Sequence, residues 1–308
     1  MKKMLLPVLL APLLALAAIL LFACGHAKHS AAAPAPAADD DASPAAADDD
    51  DNDDMSVPPD QAFLPIPPEG THWMMVFDDE FDGTELNTNI WTATGSMADP
   101  VPRRDGYWVK EAMYLDGLGH LVIETFEKDG KYYDGCIDTS NSFNHTYGYY
   151  EIRAKQHTQV GHWFAFWLIG GDTSSPTAAA GEEIDILEKP WVAGLLKDFT
   201  QSALHWDGSA GFTEQLVNDP QVMDGDYHTF GFWWGGTEYN FYVDGKVVWT
   251  TNQGGICQVP IPIVLSDEIG TNFFDNGNIV NAKLPDYTYV DYVRVFDLVD
   301  NLAPSTPD

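Results

Sequence analysis

Three carboxylates, Glu183, Asp185 and Glu188, fall within six residues whose other members are Ile184, Ile186 and Leu187. A β-branched run between turn-like flanks reads as a strand. Side chains alternate across a strand, so Glu183 and Asp185 share one face and Ile184 and Ile186 the other. Strict alternation sends Glu188 to the apolar side. One extra residue at a bulge near Ile186 or Leu187 returns it to the acidic face, and bulges do re-aim side chains beside reactive sites. Two carboxyl groups about 5–5.5 Å apart suit retaining glycoside hydrolysis, one as nucleophile and the other as acid/base. A third carboxylate between them raises the pKa of whichever group keeps its proton. Taken alone, the pattern equally describes an acidic solvent face or a calcium site.

Short aromatic and β-branched runs separated by Gly, Asp, Asn and Pro surround this stretch, and helical periodicity is hard to find. Examples are residues 121–125, 147–155, 163–169, 230–234 and 290–296. That is an all-β pattern. Residues 238–243, then Asp244-Gly245 and 246–249, read as a hairpin with a tight turn. About 230 residues follow a polar N-terminal stretch, a size that all-β sandwiches reach as one domain. Cys136 and Cys257 fit either a disulfide or two buried thiols, and spacing does not decide between them.

The chain opens with Lys2 and Lys3, an apolar run and Ala23-Cys24, the pattern of a signal peptide. Residues 1–23 are expected to be a lipoprotein signal, with Cys24 as the lipidated residue. Residues 24–68 are rich in Ala, Pro and Asp, have little to bury, and are expected to form an extended tether. The formal net charge of −32 owes ten aspartates to the segment 39–60. An acidic chain lacks the Lys and Arg that phosphate contacts need, which excludes nucleic acid as a partner. The expected organisation is signal 1–23, tether 24–68, catalytic domain 69–300 and tail 301–308. The expected location is the bacterial cell envelope, outside the cytoplasm.

The acidic strand stands among Tyr147-Gly148-Tyr149-Tyr150-Glu151-Ile152-Arg153, Gly161-His162-Trp163-Phe164-Ala165-Phe166-Trp167, Leu204-His205-Trp206 and Val290-Asp291-Tyr292-Val293-Arg294-Val295. In this order, and with the Glu-x-Asp-x-x-Glu centre, the chain resembles glycoside hydrolase family 16 from about Phe77 to Phe296. The resemblance implies a two-sheet β-sandwich jelly roll of the concanavalin type and endo-acting, retaining cleavage of a β-linked polysaccharide. β-1,3-Glucan is the first expectation. Agar, porphyran and carrageenan galactans, a transglycosylase and a non-catalytic binding module are the alternatives. Glu183 is then the nucleophile, Glu188 the acid/base and Asp185 the group that orients Glu183.

Aromatic faces stack on the apolar C–H surfaces of sugars. On the resemblance, Trp163 and Trp206 line the cleft and His205 lies near the acid/base. Trp108, beside Arg103 and Arg104, is expected at a rim, Trp191 over a subsite, and Arg153 within reach of the cleft. The resemblance also implies one structural calcium held by Glu80 and Asp291, hard oxygen ligands of the kind calcium takes. Catalysis needs no cofactor, the polysaccharide is the partner besides the membrane at the lipid anchor, and the chain is a monomer.

Overall fold

Alternation of apolar and polar residues along the strands builds two sheets with one core between them. The computed structural model describes residues 63–190, 199–219, 221–222, 224–270 and 278–301. An eight-stranded sheet runs in the order Gly211–Val217, Thr200–Trp206, Gly181–Lys189, Phe164–Gly171, Ile261–Ser266, Cys136–Asp138 and Thr92–Ala93, with Asn144–His145 also paired to Ile261–Ser266. The acidic strand is therefore central, covered on both edges. An eleven-stranded sheet lies behind it, with Gly148–Lys155 and Asp286–Asp300 at its middle. The fold is an all-β jelly roll.

The core takes Phe164, Phe166, Leu168, Ile184, Ile186, Leu187 and Leu204 from the first sheet. It takes Tyr150, Ile152, Ala154, Phe230, Phe232, Trp234, Val293 and Val295 from the second. Each fully buried aliphatic or Phe side chain among them contributes roughly 1.5–3 kcal/mol relative to exposure. The expected hairpin is present as Tyr239–Val243 and Lys246–Thr251. Asp244 and Gly245 both adopt positive φ, 47° and 71°, the combination a two-residue hairpin turn needs to match strand twist. Cys136 and Cys257 are both buried free thiols.

On the back sheet, Glu151 is buried among hydroxyl donors from Tyr149 and Tyr292, at 2.9 and 2.8 Å. It also accepts from the backbone N–H of Phe63 at 3.1 Å. Residues 63–65, assigned above to the tether, thus pack on the outer face of this sheet, where Trp73 Nε1 donates to the Pro65 carbonyl.

Candidate active site

The bulge in the acidic strand is real and sits at Ile186. Across the Phe164–Gly171 strand, Phe166 faces Leu187 and Trp167 faces Asp185, so Ile186 has no opposite residue. On the other side, Asp185 faces Ala203 and Glu188 faces Gln201, which sets three steps against two. Ile184, Ile186 and Leu187 all bury in the core. Glu183, Asp185 and Glu188 all line one cleft on the outer face of the eight-stranded sheet, together with Trp163, Trp167 and Glu268.

Each carboxylate has a different environment. Glu188 accepts from Trp163 Nε1 at 2.8 Å and from Gln201 Nε2 at 2.7 Å. Burial and then the neighbouring Asp185 push its pKa well above the ordinary carboxylate range, and the two donors only partly offset this. Asp185 is 3% exposed. Burial, then Glu183, Glu268 and Glu182, raise its pKa well above the ordinary carboxylate range. His205 Nε2 lies 3.2 Å from Asp185 Oδ2, without the alignment of a hydrogen bond, and Oδ2 has no other partner. Glu183 is half-buried. Burial raises its pKa, while His205, Arg103 and Arg104 pull it back and Glu268 adds to it. One carboxylate oxygen of Glu183, one of Asp185 and a ring nitrogen of His205 lie within 4.8 Å of one another.

Glu268 forms the opposite wall. It is buried and ion-paired to both Arg103 and Arg104. Arg104 lies over the Trp163 ring, its guanidinium carbon 5.7 Å from the centroid. Beneath this wall, His162 donates from Nδ1 to Asp267 at 2.6 Å and from Nε2 to Asp286 at 2.9 Å. Burial alone would lower the His162 pKa, but the two carboxylates overcome it and raise it to about 9. The imidazolium ties together the starts of two strands and the segment carrying Glu268. Trp163 and Glu268 exchange backbone hydrogen bonds at 2.8 and 3.1 Å directly above it.

Trp163 and His205 thus join the three carboxylates as expected, but other expectations are corrected. Trp206 follows His205 on its strand and so faces the other way, packing on the core. A Cβ on Gly211 or Gly254 would collide with its indole, so both glycines are needed for that packing. Arg153 is on the outer face of the back sheet, where Ile152 and Ala154 beside it point into the core. It pairs with Asp291 at 2.6 Å and covers the Tyr227 ring, and it does not reach the cleft. Trp108 stands behind the cleft wall that Arg103 and Glu268 form. Its Nε1 donates to the Asp267 carbonyl at 2.6 Å and its ring carries Arg103.

Both expected calcium ligands are bound by arginines. Glu80 accepts two hydrogen bonds from Arg294, at 2.7 and 2.8 Å, and Asp291 is held by Arg153. Two guanidinium groups already supply the neutralisation that a cation would bring, so these residues do not fit a calcium ion as arranged. Trp191 and Cys24 lie outside the described residues.

Three cleft residues were not anticipated. Trp167, four residues beyond Trp163 and within the Phe164–Gly171 strand, donates from Nε1 to Ser266 Oγ at 3.0 Å. Alternation from Trp163 would have found it. Gln201 and Glu268 come from distant segments and carry no local signal. Glu182, on the far side of the strand from Glu183, is buried under the Tyr239 hydroxyl, which donates to it at 2.6 Å. Burial lifts its pKa to about 8.

A strand-borne trio of carboxylates, one deeply buried and one held by an indole and an amide, defines a glycosidase-type site on a jelly roll. The family model for glycosyl hydrolases family 16 matches residues 106–291, and the chain belongs to that family. Glucan endo-1,3-beta-glucosidase A1 of Niallia circulans is 27% identical over 259 residues, 72% of this chain. The chain spans only 37% of that relative's length. Beta-porphyranase E of Zobellia galactanivorans is 32% identical over 215 residues, covering 60% of this chain and 71% of that protein. The catalytic domain of an endo-1,3-beta-glucanase (laminarinase) from Thermotoga petrophila RKU-1 superposes with a TM-score of 0.61 at 25% identity. That superposition covers 73% of this chain and 98% of the other.

Proposed function

We propose that this chain is an endo-acting, retaining glycosidase that hydrolyses a β-linked polysaccharide, with β-1,3-glucan as the substrate. The observation that carries this reading is the single bulge at Ile186, which turns all three carboxylates to one cleft and leaves them chemically unequal. Glu183 attacks the anomeric carbon while Glu188, protonated by virtue of its raised pKa, delivers its proton to the glycosidic oxygen. The bond from that carbon to the leaving oxygen breaks and a glycosyl ester on Glu183 forms. Glu183 has then lost its negative charge, which eases ionisation in the cluster, so Glu188 becomes the base that takes a proton from water. Water attacks the same carbon, Glu183 is released, and the configuration is retained. Asp185, with a carboxylate oxygen within 4.8 Å of one on Glu183, is the group that orients the nucleophile.

A galactan bearing anionic groups is the second reading, favoured by Arg103 and Arg104 in the cleft wall. Export through the 1–23 signal, anchoring at Cys24 and a monomeric state complete the proposal. They rest on the N-terminal sequence and on the domain's size. The test is reducing-end release by the full chain on laminarin, lichenan, agarose, porphyran and κ-carrageenan, with Glu183→Gln as control. Release from laminarin, absent in the control, is the expected result. Release from porphyran or carrageenan alone transfers the assignment to the galactan reading. Binding of a polymer without cleavage overturns hydrolysis altogether.

A further inference from the structure

The strand pairing arranges the outer face of the front sheet into three rungs, each passing through one catalytic carboxylate. The first runs Phe212, His205, Glu183, Ile169. The second runs Glu214, Ala203, Asp185, Trp167, and the third Leu216, Gln201, Glu188, Ala165. Directly opposed residues in an antiparallel pair project to the same side. Phe212, Glu214 and Leu216 therefore stand on the cleft face, on the edge strand two strand spacings, about 10 Å, from the catalytic strand.

Phe212 is 48% exposed and Leu216 is 45% exposed. The Phe212 ring rests against His205 with centroids 4.8 Å apart and planes at 35°. His205 in turn reaches Asp185. An aromatic ring propped by a second ring, on the rung of the nucleophile and continuous with the cleft, presents a π-face of the kind that stacks on the C–H face of a pyranose. Among the described residues, the charge on these two strands is one-sided. Neither Thr200–Trp206 nor Gly211–Val217 contains Lys or Arg, and Glu214 is exposed between the two apolar side chains. The cationic side chains of the cleft, Arg103 and Arg104, are on the opposite flank with Glu268.

We propose that Phe212, supported by His205, forms a remote binding subsite for an uncharged pyranose unit of the polysaccharide, beyond the unit attached to Glu183 during turnover. The proposal rests on the glycosidase reading above and adds the direction in which the chain crosses the sheet. The polymer passes over the edge strand, and its units on that flank carry no sulfate or carboxylate. Phe212 lies too far from the acidic strand to touch the bond being broken, so its contribution is to binding of longer chains.

The test measures kcat and KM for the full chain, wild type, Phe212→Leu and Phe212→Ala. Substrates are oligosaccharides of increasing length from the polymer that the wild type cleaves. Phe212→Leu keeps an apolar side chain against His205 and removes the ring. The expected result is a KM about five- to ten-fold higher for long oligosaccharides, with kcat and short-substrate kinetics unchanged. An equal loss on short and long substrates, or a shifted pH profile, would make Phe212 a support for His205 and overturn the subsite. Unchanged KM at every length would overturn it as well. Silence of the wild type on all polymers is a separate result that removes the glycosidase reading itself.

Discussion

Replacing Gln201 by Met removes one of the two hydrogen bonds that hold Glu188 while keeping a side chain of similar length. The Gln201 amide donates to Glu188 Oε2 at 2.7 Å, and Trp163 donates to Oε1 at 2.8 Å. Both bonds favour the ionised form and oppose the upward push of burial and Asp185. A hydrogen bond to a charged group contributes about 1.5–3 kcal/mol net, and the half-buried position of Gln201 favours the lower figure. At 1.36 kcal/mol per pKa unit, its loss raises the Glu188 pKa by about one unit. Glu188 must be protonated to assist the first step, so the alkaline limb of kcat/KM against pH moves up by about one pH unit. The assay is that profile on the preferred polysaccharide, measured for wild type and Gln201→Met. A limb that stays in place or moves to lower pH refutes both the role of Glu188 and the direction of the donors. Trp163→Phe should shift the limb the same way and, unlike Gln201→Met, should also raise KM.

The two glutamates are separable by rescue chemistry. Glu183→Ala should lose turnover by several orders of magnitude and, with azide, yield a glycosyl azide of inverted configuration, whereas Glu188→Ala with azide should yield the retained product; product NMR distinguishes them. Trp206→Ala should cost about 2 kcal/mol of stability in thermal or denaturant unfolding, a discounted value for a half-buried indole, with KM unchanged. Arg153→Ala should leave kcat/KM within two-fold of wild type, roughly the scatter expected for a residue outside the cleft. His162 has a folded pKa of about 9, raised above the ordinary 6.5, so its contribution is complete below pH 6.5, falls as pH rises, and is lost above 9. Wild type should lose about 3 kcal/mol more stability than His162→Asn across that window; equal pH dependence in denaturant unfolding would refute the buried imidazolium.

The catalytic cluster was legible because it breaks a rule. Alternation places Glu183 and Asp185 together, and only a bulge can bring Glu188 with them, so the sequence alone called for the irregularity found at Ile186. The same rule separates His205 from Trp206. The family resemblance placed both in the cleft, and the structure follows alternation. Arg153 shows a different limit: its neighbours identify the core-facing side of the strand, but not which of two sheets the strand joins. It joined the back sheet, whose outer face looks away from the cleft. Gln201, Glu268 and Phe212 depend on register between segments far apart in the chain. No local pattern carries that information.

The unopposed residue at Ile186 also makes catalysis a matter of parity. Between Asp185 and Glu188 the strand contains an even number of intervening residues, and the acidic face survives only because one of them is absorbed outside the ladder. Removing either Ile186 or Leu187 would restore a regular ladder and still leave Glu188 two steps from Asp185, on the cleft side. A single insertion or deletion elsewhere between Glu183 and Asp185 would instead turn one reacting group into the core. The strand therefore tolerates a change of length at one point and at no other, so new spacings of the acidic motif have a single place at which to arise.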